Sequence, residues 1–390
     1  MQRIKQRKSI ICILLALGCL ASGCSDDGAA GTEEQRNLGD IALHSGLSFS
    51  LRPGTIDQFT QNSVEARASV PLPQFSLSAG PMPAEQVRIT LANIHRDATV
   101  RVLREAPLTT RSRSNCPNET SREAIECAST PEHPSCAAPE LTRAEGIRSE
   151  ATLLVDLDAC TRRSYTVERG DADAAGSDMV RLAVLGRAAS LDELGRALDA
   201  ATADSPDFVL LLGDAAENSS LNGLRDLDFL LRRVDFPAVM LPGEDELVDG
   251  KRARFLEVFG PFDFGWQVGD AQFYAFYSAD ATLSDDGLSR LRNVLGRMQS
   301  NHPTLLFTHT PPTDPLGPRD QGFRSQLQAA RVLSLLSEST IDAFFVGHIN
   351  DRATEDINSI KMYLTSVERS QEYLSVHING DEINVTRETF

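Results

Sequence analysis

Four short apolar runs in the second half of the chain each lead into a residue that can bind a metal or move a proton. Residues 208–212 end at Gly213-Asp214. Residues 238–241 lead through Pro242-Gly243 into Glu244-Asp245-Glu246. Residues 304–308 end at His309, and residues 343–346 end at Gly347-His348. Runs of this kind read as buried strands. In open α/β sheets, ligands bind beyond the carboxyl ends of the strands. Two imidazoles and two or more carboxylates brought together there make a nitrogen–oxygen site suited to zinc, manganese or iron. Each residue also has a plainer reading. The histidines can be hydrogen-bonded at strand ends, and Asp214 can close an Asx turn. Asp245 and Glu246 read as a solvated acidic turn. His44, His95, His133, His302 and His377 show no partner pattern, and Trp266 reads as packing.

These residues need an alternation of strands and helices to bring them together. From Met179 onward the sequence has that pattern. Strands are predicted over residues 180–185, 208–212, 238–241, 273–277, 304–308 and 343–346. Ser190-Leu-Asp-Glu193 is a capping box opening a helix with Leu191, Leu194 and Leu198 on one face. Residues 224–234 and 284–298 read as further helices. Leu374, Val376 and Ile378, then Asn379-Gly380, then Ile383 and Val385, read as a terminal hairpin. Residues 41–168 have another character, with alternating segments at 87–91, 98–102 and 151–157 that predict a β-sandwich-like domain. Within it, residues 115–139 read as a Pro/Ser/Thr/Cys-rich loop. Residues 169–178 are a Gly/Asp/Ala linker, and residues 24–40 a flexible tether.

The chain has 390 residues and a formal net charge of −17. Its composition is globular and long enough for more than one domain. An acidic surface repels a phosphate backbone, so no nucleic-acid partner is expected. By the same charge, no attachment to anionic lipid through a basic patch is expected.

The strand-end blocks, taken in order, resemble those of the calcineurin-like metallophosphoesterases over residues 179–390. Leu212-Gly213-Asp214 is similar to their GD block and Pro242-Gly243-Glu244-Asp245-Glu246 to their P-G-N-H-D block. Residues 259–277 are similar to the segment that follows it. His309-Thr-Pro-Pro312 is similar to H-x-P-P, and Gly347-His348-Ile-Asn350 to G-H-x-H. The resemblance implies an α/β four-layer sandwich. With a β domain before it, the arrangement is similar to that of purple acid phosphatases.

The departures from the pattern carry as much information. Gly186-Arg187-Ala188 stands where the resemblance implies D-x-H, and neither Gly186 nor Ala188 can bind a metal. Asp245 replaces the acid/base histidine, and Asn350 replaces the last histidine. The resemblance therefore implies that the first metal site is lost. Glu217 stands where purple acid phosphatases carry a metal-binding tyrosine. Asp214, Glu244, His309 and His348 remain for one divalent ion, zinc, manganese or iron. Arg187 is expected on the opposite pleat from its neighbours and so to point away. One unopposed carboxylate near a phosphate costs about 4 kcal/mol at 4 Å, roughly a thousandfold in rate.

Residues 1–23 hold Arg3, Lys5, Arg7 and Lys8, then a short apolar run, then Leu20-Ala21-Ser22-Gly23-Cys24. The run is too short for a membrane span. It resembles a bacterial lipoprotein signal peptide, which implies acylation of Cys24 and, with Ser25 following, the outer membrane. A plain secretory signal is the alternative. Of the other cysteines, Cys116, Cys127, Cys136 and Cys160 remain after the leader. In an oxidising compartment they predict two disulfides in any of three pairings, with a zinc site as the weaker alternative. The resulting expectation is an envelope lipoprotein whose degenerate phosphoesterase domain is a pseudoenzyme with an unknown envelope partner or phosphoester ligand. A single-metal hydrolase with metal-activated water is the second reading. A function carried by the β domain is the third.

Overall fold

The computed structural model describes residues 39–43, 46–108, 116, 123–144, 147–170, 179–215, 220–247, 252–317 and 321–390. The leader, Cys24, most of the tether, linker residues 171–178 and Glu217 lie outside the described residues.

In the first part the predicted alternation becomes two facing sheets. The strands are β1 (Asp40–Ala42), β2 (Ser48–Arg52), β3 (Gly54–Phe59), β4 (Ser63–Ala68), β5 (Gln74–Ser78) and β6 (Ala84–Ala92). After these come β7 (Ala98–Pro107), β8 (Ile125–Glu126), β9 (Thr142–Ala144), β10 (Ile147–Leu157) and β11 (Thr161–Arg169). One sheet has the order β1-β2-β5-β11-β7-β8, the other β3-β4-β6-β10-β9. Inward residues such as Phe49, Leu51, Val64, Leu77, Ile89, Val102 and Leu153 fill the space between them. The stretch 115–139 is not all loop. It contains β8 and a single 3-10 turn, Pro134–Cys136, which Pro134 favours by its fixed φ. The cysteines pair as Cys116–Cys160 and Cys127–Cys136, which rules out the alternative zinc site.

The second part has four layers. One sheet, β14-β13-β12-β21-β22, consists of β12 (Met179–Leu185), β13 (Phe208–Leu211), β14 (Ala238–Met240), β21 (Glu372–Asn379) and β22 (Glu382–Thr389). The other, β15-β16-β17-β18-β20-β19, consists of β15 (Phe264–Val268), β16 (Ala271–Ala275), β17 (Thr304–Thr308), β18 (Ala343–Val346), β19 (Ala353–Ile357) and β20 (Ile360–Leu364). The sheets face each other across Leu182, Phe208, Leu210, Trp266, Phe273 and Phe307. Helices α1 (Leu191–Ala201), α2 (Leu221–Leu231), α3 (Glu244–Leu247) and α4 (Arg252–Phe259) follow strands of the first sheet. Leu194, Leu198, Leu224, Leu227 and Phe255 pack on its outer face. Helices α5 (Asp285–Leu295) and α6 (Gln326–Ser337) cover the second sheet with Leu291, Val332 and Leu336. The short α7 (Val367–Ser370) sits before β21.

Sequence and structure differ at some boundaries. Helix α2 begins three residues earlier than predicted because Ser220 caps it, accepting from Gly223 N at 3.0 Å. Helix α5 stops at Leu295 because Gly296 follows as its C-cap. Helices α3, α4, α6 and α7 and strands β15, β19 and β20 have no counterpart among the expected elements.

Polar side chains with almost no solvent join the sandwich to the four-layer part. Arg67 donates to Asp228 Oδ1 at 2.7 Å and lies 4.9 Å over the Phe259 ring. Asn93 continues the edge of β14, giving Nδ2 to Ala238 O at 2.9 Å and accepting Ala238 N at 2.7 Å. His95, without a partner in the sequence pattern, is fully buried with Nε2 3.1 Å from Asp207 Oδ1. Removing one member of a buried ion pair leaves the other charge stranded. Arg67→Ala is expected to lower stability by about 3–5 kcal/mol. Urea unfolding followed by Trp266 fluorescence checks this, since that tryptophan is the only one and is buried in the other part. An unchanged Trp266 transition would show that the contact carries no coupling.

Candidate metal centre

The strand order puts the ends of β13, β14, β17 and β18 side by side, across the two facing sheets. Gly213, with φ of +93°, turns the chain after β13. A Cβ there would come within 2.6 Å of His309 Nδ1, and one on Gly243 within 2.2 Å of Asp214 Oδ1. Only glycine permits these loops to approach so closely. Asp214 and His348 themselves hold left-handed backbone, with φ of +54° and +63°. Non-glycine residues adopt it at a cost, and such strain gathers at functional sites.

The result is a tight cluster. One ligand atom each from Asp214, Glu244, His309 and His348 lies within 4.8 Å of the others. His309 is buried, and its Nδ1–H donates to Leu212 O at 2.6 Å. That bond turns Nε2 toward Glu244 Oε2 at 3.1 Å and Asp214 Oδ2 at 3.4 Å. His348 Nδ1 lies 2.7 Å from Glu244 Oε2, at an angle that makes no hydrogen bond. A buried ring nitrogen without a hydrogen-bond partner, aimed at two carboxylates and a second imidazole, is the donor a divalent ion would satisfy. The N/O set suits zinc, manganese or iron, and His309 has the outer hydrogen bond usual for a ligating imidazole. The residues present therefore fit a metal ion.

Burial raises the Glu244 carboxyl, but the His309 hydrogen bond and the close approach of both imidazoles outweigh it and hold it far below the usual range. Burial lowers His309, yet Asp214 and Glu244 overcome it and push its pKa up to about 9. Asp245 is raised by burial and by the Asp214 charge, against the pull of Arg187.

Other predicted positions fall differently. A Cβ on Gly186 would lie 1.9 Å from Thr365 O, so no larger residue fits this backbone. Ala188 is buried, with its N–H on Asp214 O at 3.1 Å. Asn350 accepts from Ser366 Oγ at 2.7 Å and is turned to that loop. Asp245 remains partly exposed at the edge of the cluster.

Two expectations are overturned. Glu246 is not a solvated turn residue. It is fully buried, and its carboxylate accepts the N–H groups of Asp214, Ala215 and Gly243 at 2.8, 2.8 and 2.7 Å. The signal was legible. Gly243 precedes the first residue of α3, and a Glu three positions on can reach back to that N–H, as in a capping box. Arg187 does not point away. The pleat ends with β12 at Leu185, and Arg187 instead pairs with Ser366, its carbonyl accepting Val367 N and Glu368 N. Outside the strand, alternation no longer sets direction. The side chain sweeps over Asp214, with Nη1 3.0 Å from Oδ2.

Metal binding requires a neutral His309. In the metal-free chain the raised pKa means that His309 stabilises the fold below its unfolded value near 6.5. That contribution is lost as pH rises through about 9. Metal binding has the opposite sign. Divalent-ion affinity is expected to rise about tenfold per pH unit toward 9, with roughly one proton released at pH 7. Calorimetry in buffers of different ionisation enthalpy measures the proton. No release would contradict the assignment of His309 as a ligand.

The model of the calcineurin-like phosphoesterase family matches residues 177–351. No curated protein sequence matches the chain. Among solved structures, a purple acid phosphatase from yellow lupin (Lupinus luteus) seeds shares 9% identity at a TM-score of 0.47, covering 82% of this chain and 78% of that one. The anchor in the inner membrane complex of Plasmodium shares 14% at 0.44, covering 54% and 84%. A dimetal phosphatase from Danio rerio shares 13% at 0.41, covering 54% and 99%.

Proposed function

Because the calcineurin-like phosphoesterase family model matches residues 177–351, we propose that this part of the chain keeps one metal site, lacks a second, and acts as a binding or scaffold module rather than an efficient phosphoester hydrolase. The observation that carries this is the turn after β12. Gly186 is pressed on Thr365 O, Ala188 has no metal-ligating side chain, and Arg187 between them supplies a cation to Asp214. Nothing in that turn offers a ligand to a second ion.

The ligand count supports the same reading. Structural zinc sites close with four protein ligands, while catalytic ones keep a position open. Asp214, Glu244, His309 and His348 are four. A bound divalent ion supplies Lewis acidity and lowers the pKa of water. The carboxylates of Asp214, Glu244, Asp245 and Glu368 gather in the same place, disfavouring a phosphate dianion. In the same reading the chain is exported to the bacterial cell envelope and held at the outer membrane by acyl chains on Cys24. Its partner there is an envelope component or a phosphoester ligand. The basic and apolar leader ending in Cys24 supports this.

The partial exposure of Glu244 and His348, which leaves one side of the cluster open to solvent, favours one second reading, a single-metal phosphoester hydrolase. Manganese or iron, which take more than four ligands, would leave a position for substrate. Metal analysis of the purified protein separates these readings when paired with a phosphomonoester and phosphodiester assay. We expect about one equivalent of divalent metal, lost in His309→Ala/His348→Ala, and no hydrolysis above that double mutant. Hydrolysis that disappears with the double mutation would establish the hydrolase. Absence of metal in both proteins would contradict both readings.

A further inference from the structure

Arg187 contacts three carboxylates from three separate segments. Its Nη1 donates to Asp214 Oδ2 at 3.0 Å, beyond β13. Its Nη2 lies 3.3 Å from Asp245 Oδ2, on α3. Its Nε donates to Glu368 Oε2 at 3.0 Å, on α7. Three negative charges around one point repel unless a cation joins them. The guanidinium does so with fixed, forked donors and stays charged at any physiological pH.

The Asp214 oxygen it holds also faces His309 Nε2 at 3.4 Å. An ion held by the four clustered residues would be bound beside the Asp214 oxygen that Arg187 holds. From this geometry, and resting on the single-ion reading above, we propose that Arg187 is a built-in cation standing in for a second metal ion and limiting the site to one. It is a positioning residue. It draws Asp214, Asp245 and Glu368 together and offsets their charge, but it offers no coordination position to water or substrate. Its backbone is held by Val367 and Glu368 and its guanidinium by the three carboxylates, so this cation belongs to the chain and does not exchange with ions in solution.

The test is calorimetric titration of the protein with manganese or zinc chloride, with circular dichroism to confirm folding. The wild type is expected to take one ion. Arg187→Met is expected to take a second ion, or to bind the first roughly tenfold more tightly, as removal of a nearby positive charge requires. Arg187→Lys keeps the charge and is expected to match the wild-type stoichiometry. Asp245→Asn/Glu368→Gln leaves the guanidinium less opposed and is expected to weaken the first ion roughly tenfold. A folded Arg187→Met that binds one ion with a Kd within about twofold of wild type, or none, overturns the proposal. If Arg187→Met does not fold, unchanged affinity in the double variant overturns it instead. A wild type that binds nothing while Arg187→Met binds an ion contradicts the single-ion reading but supports this proposal. If neither binds, both fall.

Discussion

The Asp214 carboxylate is buried at 1% exposure, and a buried charge needs partners on every open side. One oxygen accepts from Asp245 N at 3.1 Å; the other lies between Arg187 and His309. The left-handed backbone of the residue is strained, and the grip that holds it is the Glu246 carboxylate on three N–H groups. This grip ties the loop after β13 to the loop after β14, and so sets Asp214 and Glu244 side by side. Each backbone N–H left unpaired there would cost about 1–3 kcal/mol. The ligand cluster, the position of Arg187 and the approach of His309 all follow from this arrangement.

The sandwich domain braces the same sheet. Asn93 completes the hydrogen bonding of β14 at Ala238, two strands from β12 and close in sequence to the Glu244 loop. Asp207, at the entry to β13, is held by His95 at 3.1 Å and by the N–H of Arg181 at 2.8 Å. Asp228 on α2 links Arg67 to Arg232, which reaches Asp57 at 2.7 Å. The strands that deliver Asp214 and Glu244 are thus fixed from outside their own domain. This gives the first part of the chain a structural role whether or not it binds a ligand of its own.

Much of this was legible in the sequence. The apolar runs before Asp214, His309 and His348 are strands because each is buried on both faces, and such runs need no alternation to be read. Half of the capping box at Ser190 is present: Ser190 Oγ accepts Glu193 N, while the Glu193 carboxylate reaches one residue further back, to Ala189 N. The sequence hid what depends on tertiary contact. Strand β19 is mostly exposed and polar, so its pairing with β20 leaves no apolar pattern. His95 and Arg67 find their partners more than a hundred residues away. Arg187 departs from its expected direction because strand alternation holds only to the end of β12, two residues earlier, and pairing with Ser366 redirects the chain.

In the proposed reading one ion, not two, belongs to this site, with Arg187 occupying the neighbouring place. A crystal structure of the zinc- or manganese-soaked protein, with anomalous difference maps at the metal edge, tests it most directly. A single peak is expected among Asp214, Glu244, His309 and His348, with the Arg187 guanidinium still on Asp214. Two peaks, or one peak with Arg187 swung out and the ion lying between Asp214, Asp245 and Glu368, would contradict it.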